Sequence, residues 1–206
     1  MQAGSRQPYR SATRDAAAEA TRGRIVAAAR QLLMGGENLP AFSIDGVARQ
    51  AGVTRLTIYN QFTSKCGLLE AVFDDLGHEG GICELPALLE LTDTDRALRG
   101  VVSVYCGFWA HHGRVMPRLA ALAKLDDEIA LNIRCRVERR REVLATLVDR
   151  LHLKPAPRGD LVDVLFALTG FDLFESLHIS GRSAAGVEQL VQQLVAQAWQ
   201  TAAPKP

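Results

Sequence analysis

Apolar residues recur three and four positions apart along almost the whole of this chain, and no run alternates long enough to read as a half-buried strand. At 3.6 residues per turn that spacing gathers them on one side of an α-helix, so the fold class is all-α. Ile25, Ala28, Leu32 and Leu33 form such a stripe in a helix predicted over about Thr21–Leu33, with Gly35-Gly36 as its stop. Ser43 is placed to cap a second helix with Ile44, Val47, Ala48 and Ala51 facing inward, and Gly52 breaks it. Thr54 caps a short third helix. Ser64 caps a fourth carrying Leu68, Leu69, Val72, Phe73 and Leu76. The segment His78–Pro86, with two glycines and a proline, reads as a linker.

Longer helices follow. One spans about Thr94–His111 with Leu98, Val101, Val102, Tyr105, Phe108 and Trp109, and a short one runs from Pro117 to near Leu125. A charged helix over about Asp126–Leu151 carries Ile129, Ile133, Val137, Leu144, Val148 and Leu151 on one side. Residues 153–159 (LKPAPRG) read as a break. The stretch 160–180 is apolar almost all round, and 184–202 keeps a stripe of Val187, Leu190, Val191, Leu194, Val195 and Ala198. The reading is about nine helices, divided into an arm (1–20), a three-helix head (21–66) and a helical body (67–206).

The 206 residues are nearly half hydrophobic with a net charge of +1, as in a soluble globular chain. No apolar run approaches the ~20 residues that cross a bilayer, and the first residues lack the apolar core of a secretory signal. Cys66, Cys83, Cys106 and Cys135 form no CxxC pair, so neither a zinc site nor a disulfide framework is expected, and the cytoplasm is the default compartment. The charge is uneven. Residues 1–65 hold 9 Lys and Arg against 4 Asp and Glu, while the remainder holds 15 against 19. A basic end on an acidic body suits contact with a polyanion.

Ser43–Ala51, the turn at Gly52-Val53 and Thr54–Phe62 have the form of a helix-turn-helix. Ile44, Val47, Ala48, Val53, Ile58 and Phe62 can lock its two helices, leaving Arg55, Leu56, Thr57, Tyr59, Asn60 and Gln61 for an outward face. Such a face suits the major groove of double-stranded DNA, where short polar and apolar side chains read base edges. Thr54 and Ser64-Lys65 lie at helix N-termini, which favour anions, and Lys65 and Tyr59 suit backbone phosphates.

Gly52-Val53-Thr54, Ile58-Tyr59, Phe62, Ser64-Lys65 and Leu68-Leu69, with Ile44-x-x-Val47-Ala48 upstream, resemble the signature of the TetR (tetracycline repressor-like) family of bacterial transcription regulators. The resemblance covers about residues 21–76. It implies an all-helical homodimer with a three-helix DNA-binding head and an effector-binding body, paired through the last two helices (about 160–180 and 184–202). By position, it places Arg55, Leu56, Thr57 and Asn60 against bases and Thr54, Tyr59, Gln61 and Lys65 against phosphates. Gly46 departs from the pattern where the family usually has an acidic capping-box residue, and Asn60-Gln61 replaces a more usual aromatic or basic pair.

In the body, Tyr105, Phe108, Trp109, His111, His112, Met116, Phe166, Phe171, Phe174 and His178 fall on helices that line the effector cavity in relatives. Tyr105, Phe108, Trp109, Met116, Phe171 and Phe174 are the candidate ligand-binding residues. Adjacent His111 and His112 point about 100° apart on a helix and read as core or surface residues rather than metal ligands. Arg139-Arg140-Arg141, between Glu138 and Glu142, reads as a solvated face, and Arg6, Arg10 and Arg14 as a solvated tail or a minor-groove arm. The cysteines are expected buried, with Cys66 in the first turn of the fourth helix. The 160–180 segment is too apolar to face water in a monomer and calls for a partner helix pair.

Together these features predict a dimeric repressor that binds a palindromic operator and is released by a small, largely apolar effector, with no cofactor, metal or membrane. The alternatives are a constitutive helix-turn-helix factor with a vestigial pocket, or a helical enzyme. The enzyme has no Ser/His/Asp spacing, glycine-rich phosphate loop or HExxH to support it.

Overall fold

Every regular element among the described residues is helical, as the apolar spacing requires, and none is a strand. The computed structural model describes residues 8–34 and 42–203, with side chains from Arg14 onward in the first segment. Its first compact unit runs through Asp75 and its second from Leu76, so the division falls inside one helix.

The first unit begins with α1 (Pro8–Met34), α2 (Ile44–Ala51) and α3 (Arg55–Phe62), and α4 (Lys65–Glu79) starts within it. Ile25, Ala29, Leu33, Val47, Ile58, Phe62, Leu68 and Leu69 form its buried interior. The caps are those the sequence suggests. Ser43 Oγ accepts from the Gly46 N–H at 3.0 Å, Thr54 Oγ1 from the Thr57 N–H at 3.1 Å, and Ser64 Oγ from the Gly67 N–H at 3.0 Å. Gly46 therefore satisfies the cap through its backbone although it carries no capping-box carboxylate. Gly52 closes α2 at φ +66°, a left-handed conformation that favours glycine, and its N–H returns to the end of the helix.

α1 is longer than its apolar stripe. It starts at Pro8 rather than near Thr21, although residues 14–20 are all exposed. Residues 16–20 read AAAEA, strong helix formers that extend α1 by propensity without needing a core. The expected glycine stop at 35–36 and Arg6 lie outside the described residues, as does the side chain of Arg10.

The second unit holds α5 (Leu85–Glu90), α6 (Thr94–His112), α7 (Met116–Ala123), α8 (Asp127–Val148), α9 (Pro155–Leu168), α10 (Phe171–Ile179) and α11 (Ala184–Ala202). Short 3-10 turns occupy Ile82–Glu84, Gly113–Val115 and Asp149–Leu151. One core joins Val101, Val102 and Tyr105 of α6, Leu144, Leu147 and Val148 of α8, Leu161 and Leu165 of α9, and Val187, Val191, Val195 and Trp199 of α11. α6 is capped by Asp93, α8 by Asp126 and α11 by Ser183.

Three boundaries differ from the expected ones. Most of the linker expected at His78–Pro86 is helical: α4 runs to Glu79 and Pro86 sits in the first turn of α5, where its missing N–H costs nothing. For the same reason α9 starts at Pro155, inside the stretch read as a break. Residues 160–180 are two helices rather than one. They part at Thr169-Gly170, where the Thr169 hydroxyl turns back to the Leu165 carbonyl at 2.8 Å and Gly170 adopts an extended conformation.

The buried side of α8 also differs. Val137 is 38% exposed, and the inward line passes instead through Ile129, Asn132, Arg136, Arg140, Leu144 and Val148, with the two arginines half-buried. That line keeps the three- and four-residue spacing, but three polar residues occupy its middle.

Candidate functional site

The outer side of α3 is set by what its inner side must bury. Ile58 and Phe62 are fixed in the interior, which turns Arg55, Leu56, Tyr59 and Asn60 outward on adjoining turns, with Leu56 69% exposed. Thr54 is exposed at the N-cap, while Thr57, Gln61 and Lys65 are half-buried at the edges. The structure thus brings all eight expected DNA-contact residues to α3 and its two flanks. Some of their capacity is used internally. Arg55 is ion-paired to Asp45 at 3.2 Å, the Thr57 and Thr54 hydroxyls lie 2.9 Å apart, and the Lys65 ammonium is 6.0 Å from the centre of the Phe42 ring.

The passage from α3 to α4 is a tight γ-turn. The Ser64 N–H donates to the Phe62 carbonyl at 2.6 Å across Thr63, which is held at φ +66° and ψ −42°. The turn drives the Phe62 carbonyl against the first turn of α4, where a Cβ added to Gly67 would lie 2.2 Å from that oxygen. Glycine at 67 is what lets α4 begin so soon after α3. This fixes Tyr59 and Lys65 relative to each other on successive helices.

Arg22 also shapes this face, and sequence reasoning missed it. Its guanidinium lies 4.4 Å from the centre of the Phe62 ring and donates to the Gln61 carbonyl at 3.1 Å, holding the end of α3 from α1. The partners are far apart in sequence, and no local pattern marks the contact.

The candidate effector residues divide by burial. Tyr105, Phe108 and Phe174 are buried, whereas Trp109, Met116 and Phe171 are half-buried. Phe108 meets Trp109 edge-on at 4.9 Å between ring centres, and Trp109 meets Phe171 at 5.7 Å. The Trp109 indole donates to the Thr169 carbonyl at 2.9 Å, tying α6 to the α9–α10 junction. Phe174 stacks on His178 at 6.0 Å. His112 is buried, with Nε2 3.9 Å from a Glu79 carboxylate oxygen, while exposed His111 lies against the Gly107 carbonyl.

Two surface grooves lie elsewhere. One of about 600 Å³ is lined by Val26, Ala27, Arg30, Met34, Ala71 and Asp75, and one of about 310 Å³ by Arg141, Ala145, Arg158 and Val162 among others.

Arg140 corrects the reading of the arginine triplet as a solvated face. Arg139 is exposed, but Arg140 turns inward, 3.7 Å above the centre of the Phe166 ring and 5.9 Å from that of Tyr105. Its Nη1 donates to the Phe166 carbonyl at 2.7 Å and the Thr169 hydroxyl at 3.0 Å. Burial pushes its pKa down to about 10, and burial likewise raises that of Tyr105, a rise that the nearby Arg140 charge partly offsets. The clue in the sequence was phase: residue 140 lies four before Leu144 and eight after Asn132. The cysteines also divide. Cys106 is buried and its thiol pushed up to about 12, chiefly by that burial, whereas Cys83 and Cys135 are exposed and Cys66 half-buried.

Residues 25–72 match the family described as bacterial regulatory proteins, tetR family. Solved structures resemble most of the chain in fold. A protein from Mesorhizobium loti assigned to the TetR-family transcriptional regulators superposes with a TM-score of 0.63 at 17% identity, covering 89% of this chain and 97% of its own. A TetR-like transcriptional regulator from a Rhodococcus species gives 0.59 at 16%, covering 90% and 97%. A transcriptional regulator of the TerR/AcrR family from Aquifex aeolicus gives 0.60 at 12%, covering 86% and 98%. No curated protein matches the sequence.

Proposed function

We propose that this chain, which carries a tetR-family amino-terminal domain on a TetR-like fold, is a dimeric transcriptional repressor that binds a palindromic DNA operator and releases it when a small effector enters the body. The observation that carries this reading is α3 itself, a short helix whose Ile58 and Phe62 are buried while Arg55, Leu56, Tyr59 and Asn60 face outward. Arg55, Leu56, Thr57 and Asn60 read base edges, and Thr54, Tyr59, Gln61 and Lys65 hold phosphates.

Two copies are needed because a two-fold protein reads a palindrome with its heads ~34–36 Å apart, or a multiple of that. Apolar side chains left over on α9, α10 and α11 supply the surface for pairing: Val164 is 44% exposed, Ile179 is 77% exposed, and Leu190 and Leu194 are half-buried. The Phe108–Trp109–Phe171 cluster with Tyr105, Met116 and Phe174 forms the effector wall. Effector binding favours a conformer whose heads no longer match successive grooves, and a coupling of ~2.7 kcal/mol suffices for a hundredfold loss of operator affinity. No described helix is long and apolar enough to cross a membrane, and a repressor works in the cytoplasm.

The test is selection of random duplex DNA against the purified protein, followed by salt titration of the winner. A palindrome should emerge. Asn60→Ala should cost ~1–3 kcal/mol and relax preference at one position per half-site, whereas Lys65→Ala should weaken all sequences alike and reduce the salt slope by about 1 per head. Failure to enrich any sequence from protein stripped of bound small molecules would refute the regulator reading.

A further inference from the structure

Arg140 is the group in the body that the effector reading leaves unexplained. It is half-buried with its guanidinium turned inward, and a cation withdrawn from water is stable only when paired or richly hydrogen-bonded. Both of its hydrogen bonds leave from Nη1, to the Phe166 carbonyl and the Thr169 hydroxyl, and both acceptors are neutral. Asp172 influences it only from beyond ion-pair distance. Its neighbour Arg141, by contrast, pairs with Asp163. The Phe166 ring lies 3.7 Å from the Arg140 guanidinium and 4.3 Å from that of Arg141, the Tyr105 ring is 5.9 Å away, and the same Thr169 that receives Nη1 also receives the Trp109 indole on its carbonyl. Arg140 thus shares an anchoring residue with the half-buried Trp109–Phe171 pair.

We propose that Arg140 is the anion-recognition group of the effector site, and that the effector is a small organic acid whose carboxylate meets the Nη2–Nε edge of this guanidinium while its apolar part lies against Trp109, Phe166 and Phe171. The inference rests on the effector reading above and narrows it from a largely apolar ligand to an acid. The planar fork of arginine fits a carboxylate through two parallel hydrogen bonds, and the low dielectric beside the rings strengthens them. An uncharged amide of the same shape carries no charge and offers only one acceptor atom, so the site discriminates between the two.

The experiment titrates the full-length protein with benzoate, phenylacetate, indole-3-acetate and decanoate, each against its amide, following thermal shift and tryptophan fluorescence. At least one acid should bind about 10- to 100-fold more tightly than its amide. Arg140→Met, which keeps an apolar stem over Phe166, should erase that preference. Arg140→Lys keeps the charge but loses the fork and should weaken the acid about tenfold, which decides the matter should the Met variant not fold. The proposal is overturned if no acid is preferred over its amide, if the preference survives in a folded Met variant, or if the Lys variant binds the acid as the parent does. Operator binding by the same proteins without acid separates the two readings. Intact, sequence-specific DNA binding with no acid preference sinks the effector class alone, whereas absence of any specific operator sinks the regulator.

Discussion

Thr63 and Gly67 show how much conformational cost one turn concentrates. A β-branched residue at φ +66° costs about 1–3 kcal/mol, and glycine there would remove most of it while losing some chain entropy. Thr63→Gly should therefore raise stability by about 1 kcal/mol in urea unfolding. Gly67→Ala should do the opposite, because its new Cβ would meet the Phe62 carbonyl, a main-chain atom that yields only if the turn opens. A loss of about 3 kcal/mol is expected, enough to lower the thermal midpoint by several degrees. Cys106 gives a third outcome at this scale. With its thiol pushed up to about 12 it holds almost no thiolate at pH 8, so iodoacetamide should label the exposed Cys83 and Cys135 long before it, as mass spectrometry would show.

Among the elements, α3 and α8 show opposite degrees of legibility. α3 is short, capped by a hydroxyl and amphipathic in a way that its neighbours Gly52 and Ser64 delimit, so its buried and outward sides could be assigned from the sequence. Thr54→Ala removes the cap and should cost about 1 kcal/mol by thermal unfolding, and if α3 reads DNA as proposed, operator affinity should fall further because the helix frays at that end. α8 resisted the same reading. Its inward line includes Asn132, Arg136 and Arg140, and an apolar-only count slides the stripe onto Ile133 and Val137, one residue away. Polar residues on a buried side carry no hydrophobic signal. Only the phase relative to Leu144 and Ile129 betrays them.

At the scale of the whole molecule the proposed dimer rests on the apolar surface left on α9, α10 and α11. α11 buries Val187, Val191, Val195 and Trp199 on one side while Leu190 and Leu194 remain half-exposed on the next. A charge placed among such side chains has no compensating partner. If the proposed dimer pairs through these helices, Val164→Glu with Leu194→Glu should turn it into a monomer in light scattering at micromolar concentration, and weaken binding to a two-fold operator by at least about tenfold, because a lone head would reach only one half-site. A monomeric parent protein would remove the basis of this expectation.

The sequence by itself determined the all-α class, the caps at Ser43, Thr54 and Ser64, and the helix-turn-helix pattern. Each depends on residues within a few positions of one another: apolar spacing, a hydroxyl before a helix, a glycine after it. The tertiary structure alone decided what depends on distant partners. Arg22 reaches Gln61 and Phe62, Arg140 reaches Phe166 and Thr169, and the γ-turn at Thr63 sets the Phe62 carbonyl over Gly67. Helical periodicity reports which side of an element avoids water. It says nothing of which element that side will meet, so a buried cation and its company come into view only when the helices are assembled.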